Sequence, residues 1–250
     1  MKLPPIGFGC SPFRGATKVD LEPAVRYAIR CGYRLFDAAE LYGNELAIGR
    51  ALRDAPRKEL CIVGKLWRTN YRPEHVRAAC EASLRRLQLD AFDLYLLHAP
   101  GALTHVAPLD DASLLGWDEL QRRAITTPDD VPVSETWAAM RELVQAGLVR
   151  NIGVSNFGVQ ELVTLNADDI AANQIASPVD EAVVQWCHEH DVAVIAYSPL
   201  ASASLTAASP RDILQSLIAR GITPLVSSTN AAHIRENLEG SPSDWRLHAP

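Results

Sequence analysis

The chain has 250 residues, 48% of them hydrophobic and 22% charged, and a formal net charge of −6. These values sit near globular averages, which excludes collagen, coiled coil and disorder, while the acidic balance argues against nucleic-acid or anionic-membrane partners. No apolar run approaches the roughly 18 residues that cross a bilayer, and MKLPPIGFGC lacks the apolar segment of a secretory signal, so a cytoplasmic globular protein is expected.

Strand-like and helix-like patterns alternate along the chain. IGFGC is a short apolar run ended by Ser11-Pro12, and its GxG reads as a tight strand exit rather than a dinucleotide fingerprint. Asp20 is the expected cap of a helix with Leu21, Ala24, Val25, Ala28 and Ile29 on one face, closed by Gly32. Tyr33 to Asp37 reads as a strand, Asn44 to Ala55 as a helix, and Leu60 to Lys65 as a strand. Pro73 opens a helix carrying Val76, Ala79, Cys80, Leu84 and Leu87 at helical spacing; Phe92 to Leu97 is a strand and Ser134 to Ala146 a helix. The alternation continues with strands at Val149–Val154, Ile170–Ile175, Val192–Ala196 and Ile222–Val226. Their partner helices are Phe157–Leu165, Asp180–His190, the Ser209-Pro210-capped segment to Arg220, and Asn230–Glu239. Eight strand–helix units without a linker predict one domain, an α/β (β/α)8 TIM barrel spanning residues 1–250.

The connection from Ala99 to Val133 is out of scale, with a central LLGWDELQRR that has helical character. It follows a strand, which places it on the carboxyl-terminal face where barrel active sites are built. The five cysteines are odd in number, widely spaced and free of any CxxC pair, as expected of reduced packing thiols. Cys187, His188 and His190 in CHEH have no partner ligand in the pattern and read as a helix end, and no metal is expected. No serine sits in a nucleophile elbow.

Polar residues gather at the strand ends. Asp37 ends the second strand, with Tyr42 following in its loop; Lys65 ends the third and His98 the fourth. Later strands end near Asn156, Gln174 and Tyr197. A structural ion pair at the rim accounts for any one of these alone, but titratable groups on three successive strand ends suggest a site. Asp37 would hold Lys65 charged, the ammonium would lower the pKa of the Tyr42 phenol, and His98 would donate to a substrate oxygen. Such a proton donor suits carbonyl reduction, which also needs a hydride that no side chain supplies, so a nicotinamide cofactor is implied.

The motifs GFG, FDAAELYGNE, GKLW, LYLLH, GVSNF, NQI, AYSPL and HIRENL, in this order from residue 7 to residue 238, resemble the aldo-keto reductases. The resemblance implies a (β/α)8 barrel that moves a hydride between NADPH, or less often NADH, and a small-molecule carbonyl. It implies Tyr42 as general acid, Lys65 and Asp37 as its tuning pair, and His98 as the group that orients the carbonyl. Ser155, Asn156 and Gln174 match positions that bind the nicotinamide carboxamide, and Tyr197 the ring stacked on it. Ser198 and Leu200 match the pyrophosphate loop, Ser227, Ser228 and His233 complete the cofactor-binding set, with Ser227 facing a ribose hydroxyl, and Glu236 and Asn237 match the adenine contacts. Trp67, with Trp117 of the long loop, would wall the substrate pocket.

The chain departs from the family at the ending LVSSTNAAHIREN, where Ser227 and His233 replace the lysine and arginine that grip the 2′-phosphate. Each missing charge-assisted contact is worth about 1.5–3 kcal/mol, so NADH becomes the more plausible cofactor. The chain is also shorter than the family by about one helix after AYSPL and in its carboxyl-terminal loop, which predicts an open pocket. Two other functions use the same residues: a redox-free lyase, dehydratase or isomerase, and a nucleotide-sensing regulatory subunit. Retention of the nicotinamide-binding residues speaks against the first, and the complete Tyr42–Lys65–His98 set against the second.

Overall fold

The computed structural model describes residues 1–14, 17–106, 127–201 and 208–239. Among them, eight strands form a closed barrel: β1 (Gly7–Gly9), β2 (Leu35–Asp37), β3 (Cys61–Leu66), β4 (Leu94–Leu97), β5 (Ile152–Ser155), β6 (Ala172–Ala176), β7 (Ala193–Tyr197) and β8 (Ile222–Val226). Each strand pairs in parallel with its sequence neighbours, and β1 closes the ring against β8. A helix follows every strand: α1 (Glu22–Cys31), α2 (Glu45–Leu52), α3 (Pro73–Leu87), α4 (Val133–Gln145), α5 (Val159–Leu165), α6 (Glu181–Glu189), α7 (Pro210–Ala219) and α8 (Ala231–Glu239). This is the expected (β/α)8 barrel. Among the described residues no helix is long and apolar enough to cross a membrane.

Local chemistry sets the element ends. Ser209 and Asp212 form a reciprocal capping box with Pro210 in the first turn of α7, and the Asp180 carboxylate accepts from the N–H groups of Ala182 and Val183 at α6. The expected cap at Asp20 is shifted by one residue: Leu21 occupies the cap position, and Asp20 Oδ1 instead accepts from the Glu22 N–H at 2.9 Å. The GFG glycines form β1 itself rather than a strand exit. A Cβ on Gly7 would lie 2.3 Å from Leu35 Cδ2 and 2.5 Å from Leu225 Cδ2, so a larger residue there would make two interior leucine side chains shift.

The strand period decides what faces the axis. Leu35, Val63, Leu94, Leu96, Ala172, Ile195 and Leu225 fill the interior, whereas Phe36, Ile62, Tyr95 and Val194 pack outward in the larger core under the helices. Side chains alternate with period two, so the next inward position on each strand lies two residues further toward the carboxyl-terminal mouth. Those positions are Asp37, Lys65, His98, Gln174, Tyr197 and Ser227. A polar ring at the mouth therefore follows from the same register that builds the apolar interior.

The long connection after β4 begins with Ala102–Leu103 paired antiparallel to Pro128–Asp129. Trp117 and the LLGWDELQRR stretch lie outside the described residues. Between β7 and α7 no further helix occurs among the described residues.

Candidate active site

Three adjacent strand ends and one turn assemble the titratable cluster. Lys65, only 1% exposed, places its ammonium 2.6 Å from Asp37 Oδ1, 3.1 Å from the Ala38 carbonyl and 3.2 Å from the Tyr42 hydroxyl oxygen. The ammonium's three donors thus have three acceptors. Tyr42 accepts in this contact, while its own O–H interacts with the Asp37 carboxylate, which helps keep the proton on the phenol. A 3-10 turn, Glu40–Tyr42, closed by Gly43 at φ 64°, brings the phenol back over the barrel mouth. The His98 ring stands edge-on to Tyr42, with centroids 6.0 Å apart, and to Trp67, at 5.0 Å. His98 Nδ1 is buried without a hydrogen-bond partner among the described residues.

The electrostatics correct one expectation. The Lys65 contact does not bring the resting Tyr42 phenol below its ordinary value: burial, followed by the negative charge of Asp37, outweighs it and holds the phenol well above 10.0. The ammonium is mostly neutralised by its close carboxylate, and desolvation dominates what is left. Burial also lowers Lys65 despite the opposing Asp37 charge. Burial, reinforced by Lys65, holds His98 well below 6.5, so the imidazole is neutral at neutral pH. The cluster therefore presents a protonated phenol, a neutral imidazole and a paired ammonium.

A cavity of about 560 Å³ opens above this cluster. Tyr42, His98, Asn156, Tyr197, Leu200 and Ser227 are among its walls, together with Asp37, Ser155, Gln174 and Ser198. The side chains opposite the phenol form a chain of hydrogen bonds. The Tyr197 hydroxyl donates to Asn156 Oδ1 at 2.9 Å, Asn156 Nδ2 donates to the His98 carbonyl at 2.9 Å, and Ser155 Oγ donates to the Gln174 carbonyl at 3.0 Å. Gln174 Nε2 donates to Asp37 Oδ1 at 2.8 Å, spanning the mouth. Asn156 and Ser198 take left-handed backbone conformations, with φ of 63° and 53°. Asn tolerates that region better than most residues, and local strain of this kind clusters at functional sites.

The remaining expected positions divide. Trp67 is not part of the described cavity wall but packs directly on His98. Ser228 accepts from the Asn230 N–H at the start of α8. His233 and Glu236 are exposed on α8, and Asn237 is half-buried there. These α8 residues lie outside the cavity wall. Gly9, Ser11 and Pro199 also line the cavity and had no assigned role. Their signal was positional, since each flanks a strand end. Among the described residues no group of three or more His, Cys, Asp or Glu side chains could hold a metal ion.

The comparisons with known proteins agree with this geometry. The model of the Aldo/keto reductase family matches residues 5–216. The chain is 39% identical over 211 residues to 4-dihydromethyl-trisporate dehydrogenase of Mucor mucedo, covering 79% of this chain and 64% of that protein. It is 35% identical over 217 residues to the NADPH-dependent aldose reductase GRE3 of Saccharomyces cerevisiae, again covering 79% of this chain and 64% of that protein. The chain thus spans just under two thirds of the length of these two relatives. The solved aldose reductase of Schistosoma japonicum superposes with a TM-score of 0.78 at 30% identity, covering 99% of this chain and 87% of that one. With the barrel, the polar mouth and a family match over most of its length, this chain belongs to the aldo/keto reductase family.

Proposed function

We propose that the protein reduces a small-molecule carbonyl with a nicotinamide cofactor, with Tyr42 as the proton donor. The observation that carries this reading is the Lys65 ammonium, shared between Asp37 and the Tyr42 hydroxyl beneath a cavity with amide and hydroxyl walls.

The residues present suit a nicotinamide. The half-buried Tyr197 ring offers a flat stacking surface, and Ser155, Asn156 and Gln174 supply the neutral donors and acceptors that a carboxamide needs. Ser198 and Leu200 would face the pyrophosphate. When bound, a reduced nicotinamide supplies the hydride of the reaction. The chain's own residues do the rest. Neutral His98 donates an N–H to the carbonyl oxygen and orients it, and the Tyr42 hydroxyl gives that oxygen its proton. The Lys65 ammonium stabilises the phenolate left behind, while Asp37 keeps Lys65 charged and aimed. Solvent then returns a proton to Tyr42 through the open mouth.

The finer choice of cofactor follows from charge. Ser227 lines the cavity where the family resemblance places a lysine, and exposed His233 stands where it places an arginine. The described cavity wall holds no arginine, and the one lysine beneath it is committed to Asp37. A 2′-phosphate would lack its counter-charges, so NADH is the proposed preference, with Ser227 serving a ribose hydroxyl. GRE3 is named as NADPH-dependent, which makes this a point of divergence within the family.

Calorimetric titration with NADH, NAD⁺, NADPH and NADP⁺, followed by turnover of nitrobenzaldehyde with the better reduced form, tests the reading. Binding together with loss of the reduced-nicotinamide absorbance is expected. Absence of both heat and turnover would overturn the redox assignment.

A further inference from the structure

Two residues before Tyr42, on the same turn, Glu40 makes contacts that the proposed reaction does not use. Its Oε2 accepts from the Trp67 backbone N–H at 3.1 Å, and its Oε1 accepts from Asn70 Nδ2 at 2.7 Å. The carboxylate thereby ties the turn carrying the phenol to the segment that follows β3. That segment in turn holds the start of the long loop. Arg68 Nε donates to the Gly101 carbonyl at 2.6 Å, the Tyr71 hydroxyl donates to the Ala99 carbonyl at 2.7 Å, and the Thr69 carbonyl faces His105 Nδ1 at 2.9 Å. Trp67 also sets its ring against His98. One side chain therefore connects the phenol turn, the aromatic neighbour of the imidazole and the root of the connection expected to shape the substrate pocket.

We infer that Glu40 is a positioning residue for substrate, clamping Trp67 and the 99–106 loop root to the turn that bears Tyr42. The inference rests on the proposed carbonyl-reducing function, in which His98, against which Trp67 packs, orients the substrate carbonyl. Replacing a carboxylate with an amide removes one of two acceptors, and replacing it with a methyl removes both, so the effect is graded.

The clamp also carries a pH dependence. Glu40 is pushed up to about 7, burial being the first cause, with Glu45 of α2 adding to it. The Trp67 N–H, Arg86 of α3 and Asn70 oppose that rise. The phenols of Tyr71 and Tyr95, also near this carboxyl, are raised by burial and remain neutral. Above pH 7 both carboxylate oxygens accept; below it, one oxygen becomes a hydroxyl and the clamp loosens. His98 titrates well below this range and Tyr42 well above it, which leaves it to Glu40 among these three.

The test compares Glu40→Gln, Glu40→Ala and Asn70→Ala with the unaltered full-length chain, using nitrobenzaldehyde and the reduced cofactor that binds. Glu40→Ala should raise KM by about tenfold, Glu40→Gln and Asn70→Ala by less, with cofactor Kd within about twofold of the unaltered value. In the unaltered protein KM should rise as pH falls through about 7, and Glu40→Gln should abolish that rise. Amide hydrogen exchange, which needs no turnover, should accelerate in Glu40→Ala at residues 67–71 and 99–106 but not at 152–155. If the unaltered protein neither binds cofactor nor turns over, the functional proposal fails, and exchange alone decides whether the clamp exists. Unchanged exchange at 67–71 and 99–106 in Glu40→Ala and Asn70→Ala would overturn the inference, as would an unchanged KM in an active enzyme.

Discussion

Gln174 and Asp37, on opposite sides of the barrel, are joined by a hydrogen bond of 2.8 Å from the Gln174 amide to the carboxylate oxygen that also receives Lys65. The proposed cofactor wall and the proton-donating cluster are thus one network, not two neighbouring sites. Removing this donor takes a hydrogen bond from the carboxylate that anchors Lys65, in a site where Gln174 and Asp37 are almost fully buried. Gln174→Met should therefore impair the chemical step as well as cofactor binding, with a combined loss of about 1.5–3 kcal/mol in kcat/KM. A change confined to cofactor Kd, measured by titration beside single-turnover rates, would separate the two roles.

Among the described residues Tyr42 is the only hydroxyl held by the ammonium, so Tyr42→Phe removes the proposed proton donor and little volume. Turnover should fall by roughly 10²–10⁴, the usual worth of a positioned acid, while cofactor Kd stays near its original value. Retained activity in steady-state assays would remove Tyr42 from the mechanism.

Restoring positive charge at the α8 end should move cofactor preference. Ser227→Lys with His233→Arg is expected to tighten NADPH by at least about tenfold relative to NADH, each charge-assisted contact adding more than a neutral one. Calorimetry with both reduced cofactors reads the ratio directly. An unchanged ratio would show that these two positions do not meet the 2′-phosphate.

His98 makes stability depend on pH. Its folded value lies well below 6.5, through burial and then the Lys65 charge, so the unfolded chain binds a proton that the folded chain refuses. The associated stability is complete above about pH 6.5 and is lost as pH falls toward the folded value. Glu40, raised to about 7, acts in the opposite direction over the same window, so the His98 contribution is read as a difference: between about pH 7.5 and 5 the urea midpoint of the unaltered protein should fall relative to that of His98→Gln. His75, lowered chiefly by burial, contributes in the same direction and is common to both proteins. Parallel slopes would mean that His98 is protonated in the folded state.

The glycine of GVSNF has a steric role. A Cβ at Gly153 would stand 2.5 Å from the Ala172 carbonyl oxygen and 2.8 Å from Leu96 Cδ2, and the first of these is backbone. Gly153→Ala should destabilise the barrel by about 1–3 kcal/mol, seen as a lower urea midpoint with the slope unchanged. An unaltered midpoint would mean that β5 and β6 can part without cost.

The sequence by itself determined the alternation of strands and helices, and with it the barrel, because apolar periods of two and 3.6 residues leave few ways to bury those faces. It also determined that Asp37, Lys65 and His98 share the mouth, since each stands two residues beyond an inward apolar position. Tertiary structure decided the rest. Strand ends shifted by one to three residues, because barrel pairing, not local propensity, sets where a ladder begins. The Tyr42 phenol moved up instead of down, because acidity depends on how closely Asp37 already neutralises Lys65 and on how completely water is excluded. The Gln174–Asp37 bond and the Glu40 clamp join residues that are far apart in the chain. No local pattern encodes such pairs, since only closure of the barrel brings them within hydrogen-bonding distance.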